Sequence, residues 1–155
     1  MPIRPATKND RETVHRIAHE TISAIYPHYY PRGAVDFFLN HHNPEAIRRD
    51  IEKGLVYLVV DENDAPVGTV TLRENEILRL FVLPAFQGKG YGKMLLDFAE
   101  NAVAKQFDTV IVDASLPAKS LYLKRGYRET AYHRLLTENG DYLCYDVMEK
   151  ASVHH

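Results

Sequence analysis

The first third of the chain alternates apolar and polar positions at helical spacing. After a Thr7-x-x-Asp10 pattern typical of a capping box, apolar residues recur three or four positions apart and predict one long helix. These positions are Val14, Ile17, Ala18, Ile22 and Ile25. Prolines end that helix, and shorter helices are predicted over residues 33–41 and 44–53. A strand over residues 3–6 is predicted before them.

Short apolar runs separated by polar turns follow, and they predict strands. Three runs, over residues 55–60, 66–72 and 77–83, form a meander. Next come an amphipathic helix over 91–104, a buried strand over 109–112, a helix over 117–124 and two strands over 127–135 and 141–148. This order predicts a mixed α/β fold with one domain over residues 1–150. Residues 151–155 are interpreted as a tail, in which His154 and His155 are typical of a purification tag.

Composition and charge exclude several classes of protein. Apolar residues make up 45% of the chain and charged residues 26%, as in soluble globular domains. The net charge of −2 argues against a nucleic-acid partner. No apolar run approaches the ~20 residues of a membrane span, and the N-terminus lacks a secretory hydrophobic region, so we expect a cytoplasmic protein without a membrane partner. The single Cys144 excludes an intrachain disulfide and a cysteine-based zinc site, and the histidine spacing indicates no metal site.

A glycine-rich segment between an apolar run and the amphipathic helix carries most of the chemical information. It reads Gln87-Gly88-Lys89-Gly90-Tyr91-Gly92. The first N–H groups of a helix have no partner within it, and the helix dipole favours an anion there. Glycines let the backbone approach that anion closely. The segment therefore predicts a phosphate-binding site. Its spacing and its place after a meander fit neither a dinucleotide fingerprint nor a P-loop.

Two segments of the chain resemble the GNAT superfamily of acyl-CoA-dependent N-acetyltransferases. Residues 80–92 match that family's strand, proline and Gln-x-x-Gly-x-Gly sequence, and residues 113–127 match its strand end, short helix with Tyr122, and Gly126-Tyr127 pair. The opening Ile-Arg-Pro-Ala-Thr of residues 3–7 is also common in the family, so the resemblance spans residues 3–148. It implies an α/β (α+β) fold, with a mixed, mostly antiparallel sheet of six or seven strands flanked by four to five helices.

The resemblance also implies an activity and a place for its co-substrate. An acetyl group would move from acetyl-CoA to a primary amine of a small molecule or peptide, by direct transfer through a tetrahedral intermediate and without a metal. The pyrophosphate would lie on the glycine-rich segment, and the pantetheine arm along the preceding strand. The implied coenzyme-binding residues are Leu80, Phe81, Val82, Gln87, Gly88, Lys89, Gly90, Tyr91, Gly92, Lys93, Ser115 and Tyr122. Ser115 stands where many members have Asn, and it could equally be only a helix N-cap.

Acyl transfer requires a neutral amine, donors for the oxyanion and a proton for the leaving thiolate. The match makes Tyr122 the predicted catalytic donor, with packing of its ring as the alternative. Glu76 is the predicted base, with a solvated turn carboxylate as the alternative, and Asp113 is a second candidate that could instead cap a helix. Strand alternation predicts that Glu76 shares a face with Leu78, Leu80 and Val82.

The acceptor would bind near the first helices. The predicted acceptor-binding residues are Tyr26, His28, Tyr29, Tyr30 and Glu74. A non-catalytic coenzyme A-binding sensor is the alternative function, and Tyr122 favours catalysis over it. The resemblance is also compatible with a homodimer.

Overall fold

The computed structural model describes residues 2–152. Its α-helices are α1 (Arg11–Ile25), α2 (Arg32–His41), α3 (Pro44–Glu52), α4 (Tyr91–Ala104) and α5 (Leu116–Lys124). Its strands are β1 (Ile3–Pro5), β2 (Val56–Val60), β3 (Pro66–Arg73), β4 (Glu76–Val82), β5 (Thr109–Ala114), β6 (Arg128–Leu136) and β7 (Tyr142–Ala151).

All seven strands belong to one sheet, in the order β1-β2-β3-β4-β5-β7-β6. Every neighbouring pair is antiparallel except β4 and β5, which run parallel. A parallel pair needs a crossover connection, and α4 supplies it. The structure confirms the predicted mixed, mostly antiparallel sheet and its flanking helices.

Helices cover both faces of the sheet and divide the core into two clusters. One cluster joins α1, α2 and α3 to the sheet through residues such as Ile17, Ile47 and Leu58. The other joins α4 to the opposite face through Leu95 and Val70. Burying a side chain of this size contributes roughly 1.5–3 kcal/mol, so the helices gain most of their stability by packing on the sheet.

Local signals explain where several elements begin. The Asn43 side chain accepts a hydrogen bond of 2.9 Å from the N–H of Ala46, and Pro44 occupies the first turn of α3.

Strand β5 extends two residues beyond the predicted 109–112, because β7 pairs with it through Asp113 and Ala114. Strand β7 reaches Ala151, one residue into the predicted tail, while His154 and His155 lie outside the described residues. The single domain over residues 1–150 stays a prediction.

No helix within residues 2–152 is long and apolar enough to cross a membrane. Over the same residues, no group of three or more histidine, cysteine and acidic side chains is placed to hold a metal ion.

Candidate active site

Strands β4 and β5 separate soon after they meet. They pair only at Glu76 with Ile111 and at Ile77 with Val112, although β4 continues to Val82. The gap leads into a cavity of about 850 Å³ between the sheet and the α2–α3 segment. A wedge between parallel strands leaves unpaired backbone groups on both sides, so an extended ligand can pair with them.

A β-bulge in β4 lies at the wall of this cavity. Thr71 pairs with Leu78 and Thr69 with Phe81, so two residues of β4 stand opposite one residue of β3. Arg79 is in the bulge, with a φ of +46° that is uncommon for a residue other than glycine. A bulge leaves part of the strand backbone unpaired, and here that backbone borders the cavity.

The bulge also shifts the side-chain alternation along β4. Ile77, Leu80 and Val82 all pack in the α4 cluster, whereas Phe81 packs in the α1–α3 cluster. The prediction that Glu76 shares one face with Leu78, Leu80 and Val82 is therefore wrong. The extra residue at the bulge reverses the faces, so Leu80 and Val82 point away from the face that carries Glu76.

The Arg79 side chain ties the bulge to three neighbouring elements. Its Nη2 donates to Asp50 of α3 across 3.0 Å, its Nη1 to the Thr71 hydroxyl across 2.9 Å, and its Nε to His42 Nδ1 across 3.2 Å. The side chains of Arg79 and Asp50 are 6% and 8% exposed. These contacts offset the backbone strain at Arg79, which costs on the order of 1–3 kcal/mol.

His42 follows α2 and lines the cavity as a neutral imidazole. Because an arginine can only donate, His42 Nδ1 must accept, and the ring proton resides on Nε2. Burial, assisted by the charge of Arg79, lowers the pKa of His42 to about 3. The ring also meets Phe81 edge-on at 5.4 Å. His42 is therefore a fixed hydrogen-bond donor near neutral pH and not a base.

The glycine-rich segment lies just beyond the open end of the wedge. Gly88 and Gly90 have φ angles of +76° and +93°, and a Cβ at either would meet open space. Within the described residues, the backbone N–H groups of 88–93 donate to no protein acceptor. Gln87 holds the segment to β4 by donating to the Val82 carbonyl across 2.9 Å. Six N–H groups at and just before the first turn of α4 are therefore available to an anion, and we call this segment the glycine cradle.

Tyr122 is the one buried residue of α5, and it lines the cavity. Its ring packs edge-on against Tyr127 at 5.2 Å. No hydrogen bond of its hydroxyl to another described residue is present. Burial raises the pKa of Tyr122 above its ordinary range, so the phenol stays protonated at neutral pH.

Ser115 occupies the N-cap position of α5, but its side chain makes no cap hydrogen bond. Instead, the Leu116 N–H donates to the Tyr30 hydroxyl across 2.7 Å, and that hydroxyl donates to the Cys144 carbonyl across 3.1 Å. Ser115 lines the cavity together with Tyr26. The sequence gives no sign that a tyrosine 86 residues away caps α5.

Two carboxylates lie on the strand wall of the cavity. Glu76 and Asp113 both line it, from neighbouring parallel strands. Val112 and Ala114 pack in the α4 cluster, so Asp113 faces the opposite side, as Glu76 does. Burial raises the pKa of Asp113 above its ordinary range. Glu74 is in the β3–β4 turn and borders a separate shallow cleft near Gln106.

The other predicted acceptor residues divide between cavity and surface. Tyr26 lines the cavity, whereas Tyr30 is buried as the bridge to Leu116. His28 and Tyr29 are exposed and do not border the cavity. Sequence reasoning missed Asp50 and Arg79. The one available signal was Arg79 itself, the only charged residue in the apolar run over residues 77–83.

Comparison with known proteins gives a consistent family assignment. A family model described as an acetyltransferase (GNAT) domain matches residues 25–141. A GCN5-related N-acetyltransferase from Rhodopseudomonas palustris superposes with a TM-score of 0.87 and 23% identity, over 96% of this chain and 94% of that one. The PaiA N-acetyltransferase from Thermoplasma acidophilum, solved with coenzyme A, superposes with a TM-score of 0.75 and 22% identity, over 96% of this chain and 97% of that one. The ribosomal-protein-S18-alanine N-acetyltransferase from Escherichia coli superposes with a TM-score of 0.65 and 16% identity, over 99% of this chain and 94% of that one.

Proposed function

Because the chain belongs to the GNAT acetyltransferase family, we propose that it transfers an acetyl group from acetyl-CoA to a primary amine of a small molecule or peptide. The observation that carries this proposal is the continuity of three features. The wedge between β4 and β5 opens at the cavity, and its open end leads to the six free N–H groups at the beginning of α4. An extended thioester with a pyrophosphate at one end fits that arrangement.

The glycine-rich segment is proposed to bind the pyrophosphate. Gly88 and Gly90 leave the space that a side chain would fill, and the N–H groups of 88–93 supply charge-complementary donors. The β4 backbone from Leu80 to Val82, of which Leu80 and Phe81 border the cavity, would pair with the pantetheine arm, and Ser115 would approach it from the β5 side. The coenzyme A bound to the T. acidophilum neighbour supports this choice of co-substrate.

The bulge at Arg79 is proposed to activate the thioester. Unpaired backbone donors at the cavity wall would hydrogen-bond the carbonyl oxygen and stabilise the negative charge that develops on it. Arg79 is proposed to act through this backbone and not through its side chain, because each of its three nitrogens already donates to a protein partner: Asp50, Thr71 or His42. Its role is to hold the bulge in place.

Proton movement is assigned to Glu76 and Tyr122. Glu76, directly or through water, would take the proton that the amine nitrogen loses as its bond to the carbonyl carbon forms. When the carbon–sulfur bond breaks, the thiolate would meet the Tyr122 hydroxyl. Because the Tyr122 pKa is raised well above the ~8.5 of a thiol, full proton transfer is uphill, and the phenol acts mainly as a hydrogen-bond donor to the sulfur.

The proposal is tested by calorimetric titration with acetyl-CoA and by free-thiol release with a panel of amino acids, polyamines, amines and peptides. Saturable coenzyme binding with thiol release for one acceptor class is expected. Binding without release across the panel would instead favour the coenzyme A sensor. No binding would contradict both functions. A cytoplasmic location and a homodimer remain proposals that this assay does not address.

A further inference from the structure

The wall of the cavity formed by α3 and the end of β3 carries an excess of positive charge. Four cationic side chains border the cavity: Arg49, Lys53, Arg73 and Arg79. Asp50 is the one carboxylate that α3 contributes to the lining. Glu76 and Asp113 also line the cavity, but over residues 2–152 neither forms an ion pair with these cations, so Asp50 is the carboxylate that pairs with them.

Asp50 is shared between two guanidinium groups. Oδ2 accepts from Arg79 across 3.0 Å in a buried pair, and Oδ1 accepts from Arg73 across a longer 3.3 Å. The Arg73 side chain is 55% exposed and lines the cavity, and within the described residues its one side-chain hydrogen bond is the one from Nη2 to Asp50. One carboxylate neutralises one of these two cations, and Arg73 keeps the capacity to bind a second anion.

Arg49 and Lys53 add to this excess. Over residues 2–152, neither side chain makes an ion pair or a side-chain hydrogen bond. Arg48, on the same helix but outside the cavity, differs because Glu45 and Glu52 both bind it. The unpaired cations of α3 are thus the ones that border the cavity. His41 also lines the cavity, and burial, together with the charges of Arg79 and Arg73, lowers its pKa.

We propose that the acceptor is an amine with a carboxylate close to the amino group, as in an α-amino acid, and that Arg73 binds this carboxylate with support from Arg49 and Lys53. This inference rests on the proposed acetyltransferase function. Arg73 is the register partner of Glu76 across β3 and β4, so a guanidinium and a carboxylate occupy neighbouring positions on the wall. An α-amino acid presents its carboxylate and amine at similarly short separation, and His42 Nε2–H adds a neutral donor.

The experiment compares matched acceptors that differ only in the carboxylate. L-Phenylalanine, L-phenylalaninamide and phenethylamine form one set, and L-leucine, L-leucinamide and isoamylamine form another. The measured quantity is kcat/KM from thiol release at saturating acetyl-CoA. We expect each acid to exceed its amide and its amine by about tenfold or more, the effect of roughly 1.4 kcal/mol from a charge-assisted contact. The amide has the lower amine pKa and hence more neutral amine, so this preference opposes intrinsic reactivity.

Arg73→Gln is the decisive variant, because the side chain is half exposed and its removal leaves Asp50 paired with Arg79. We expect kcat/KM to fall about tenfold for the acids and to stay within about twofold for the amides. Arg49→Gln should act in the same direction. Arg48→Gln is the matched control on the same helix, and it should change neither class of acceptor.

Three outcomes would overturn the inference. They are equal use of acids and amides by the wild-type protein, equal loss for both in Arg73→Gln, and a weaker acetyl-CoA Kd in Arg73→Gln with unchanged selectivity. The last would assign these cations to the coenzyme. Failure of every amine, peptides included, would contradict the proposed function instead. Calorimetric titration of acids and amides into the coenzyme-loaded protein would then decide whether the cavity selects the carboxylate.

Discussion

Arg79 and Asp50 form an ion pair of 3.0 Å in which both side chains are more than nine-tenths buried. The pair joins the β4 bulge to helix α3, and therefore joins the proposed thioester site to the wall where the acceptor is proposed to bind. Since Arg79 also contacts Thr71 and His42, one side chain fixes the geometry of two parts of the cavity.

Removing Asp50 tests how much this ion pair contributes to the stability of the fold. Asp50→Ala leaves a buried guanidinium without its main counter-ion, and we expect the free energy of unfolding to fall by about 3–5 kcal/mol. Denaturant unfolding measures this loss. Asp36→Ala, which removes the partner of the 87% exposed Arg32, should cause no measurable change. Similar losses in both variants would contradict a special role for the buried pair.

The glycine at position 90 should matter for coenzyme binding and not only for folding. Gly90→Glu places a negative charge among the free N–H groups, so we expect the Kd for acetyl-CoA to rise at least tenfold in calorimetry. Gly126 has the same φ of +93° and equally open surroundings, so Gly126→Glu is the matched control. Each variant should lose about 1–2 kcal/mol of stability from left-handed strain. Equal effects on the Kd would exclude the anion cradle.

Tyr122 should affect turnover more than binding. Tyr122→Phe removes a hydroxyl that lines the cavity and makes no hydrogen bond within residues 2–152, so we expect kcat to fall about 10²-fold with little change in the acetyl-CoA Kd. Tyr127→Phe is the control, because its hydroxyl donates to Glu100 across 2.9 Å outside the cavity. That variant should lose about 1 kcal/mol of stability and retain kcat. An unchanged kcat in Tyr122→Phe would leave only the packing role.

The pH–rate profile should identify the base. A carboxylate base works only when deprotonated, so the rate should fall as the pH drops through its pKa. We expect Glu76→Gln to flatten this acidic limb and Asp113→Asn to preserve it. The reverse result would assign the base to Asp113, whose acidic limb would lie above the ordinary range near 4, because burial raises its pKa.

Asp113 should also make the stability of the fold depend on pH, and the direction follows from its raised pKa. Its raised pKa means that the folded state prefers the protonated form, so its contribution to stability is lost as the pH rises through that pKa. Because Asp113 is only partly buried, Asp113→Asn is expected to raise the Tm at pH 7 by a small amount and to leave it nearly unchanged at pH 3. Thermal unfolding at the two values measures the difference, and a lower Tm at pH 7 would contradict a desolvated carboxylate.

Much of the fold could be predicted because its signals are local. Helical spacing indicated α1, and the glycine-rich segment indicated the beginning of α4, since each pattern is contained within one element. The bulge could not be predicted in the same way. It depends on Asp50, which is 29 residues away from Arg79, and strand alternation assumes a regular ladder.

The candidate site shows the same limit. Tyr122 and the glycine-rich segment were predicted because their residue types match a motif, and Glu76 because it stands at the entrance of β4. All three border the cavity or its open end. His28 and Tyr29 matched only by position near the first helices, and the chain turns them outward. Tyr30 became a cap for α5 because the fold brings its hydroxyl to a helix whose own N-cap side chain makes no bond.

The two-residue pairing of β4 with β5 divides the sheet into a four-stranded half, β1 to β4, and a three-stranded half, β5 to β7. The glycine cradle follows the first half in sequence, and Tyr122 belongs to the second. An extended ligand that hydrogen-bonds to the unpaired edges of both β4 and β5 becomes a temporary eighth strand and connects the two halves of the sheet. A protein built in this way is held together more firmly when loaded than when free, so under the proposed function the coenzyme would act as part of the scaffold until it leaves.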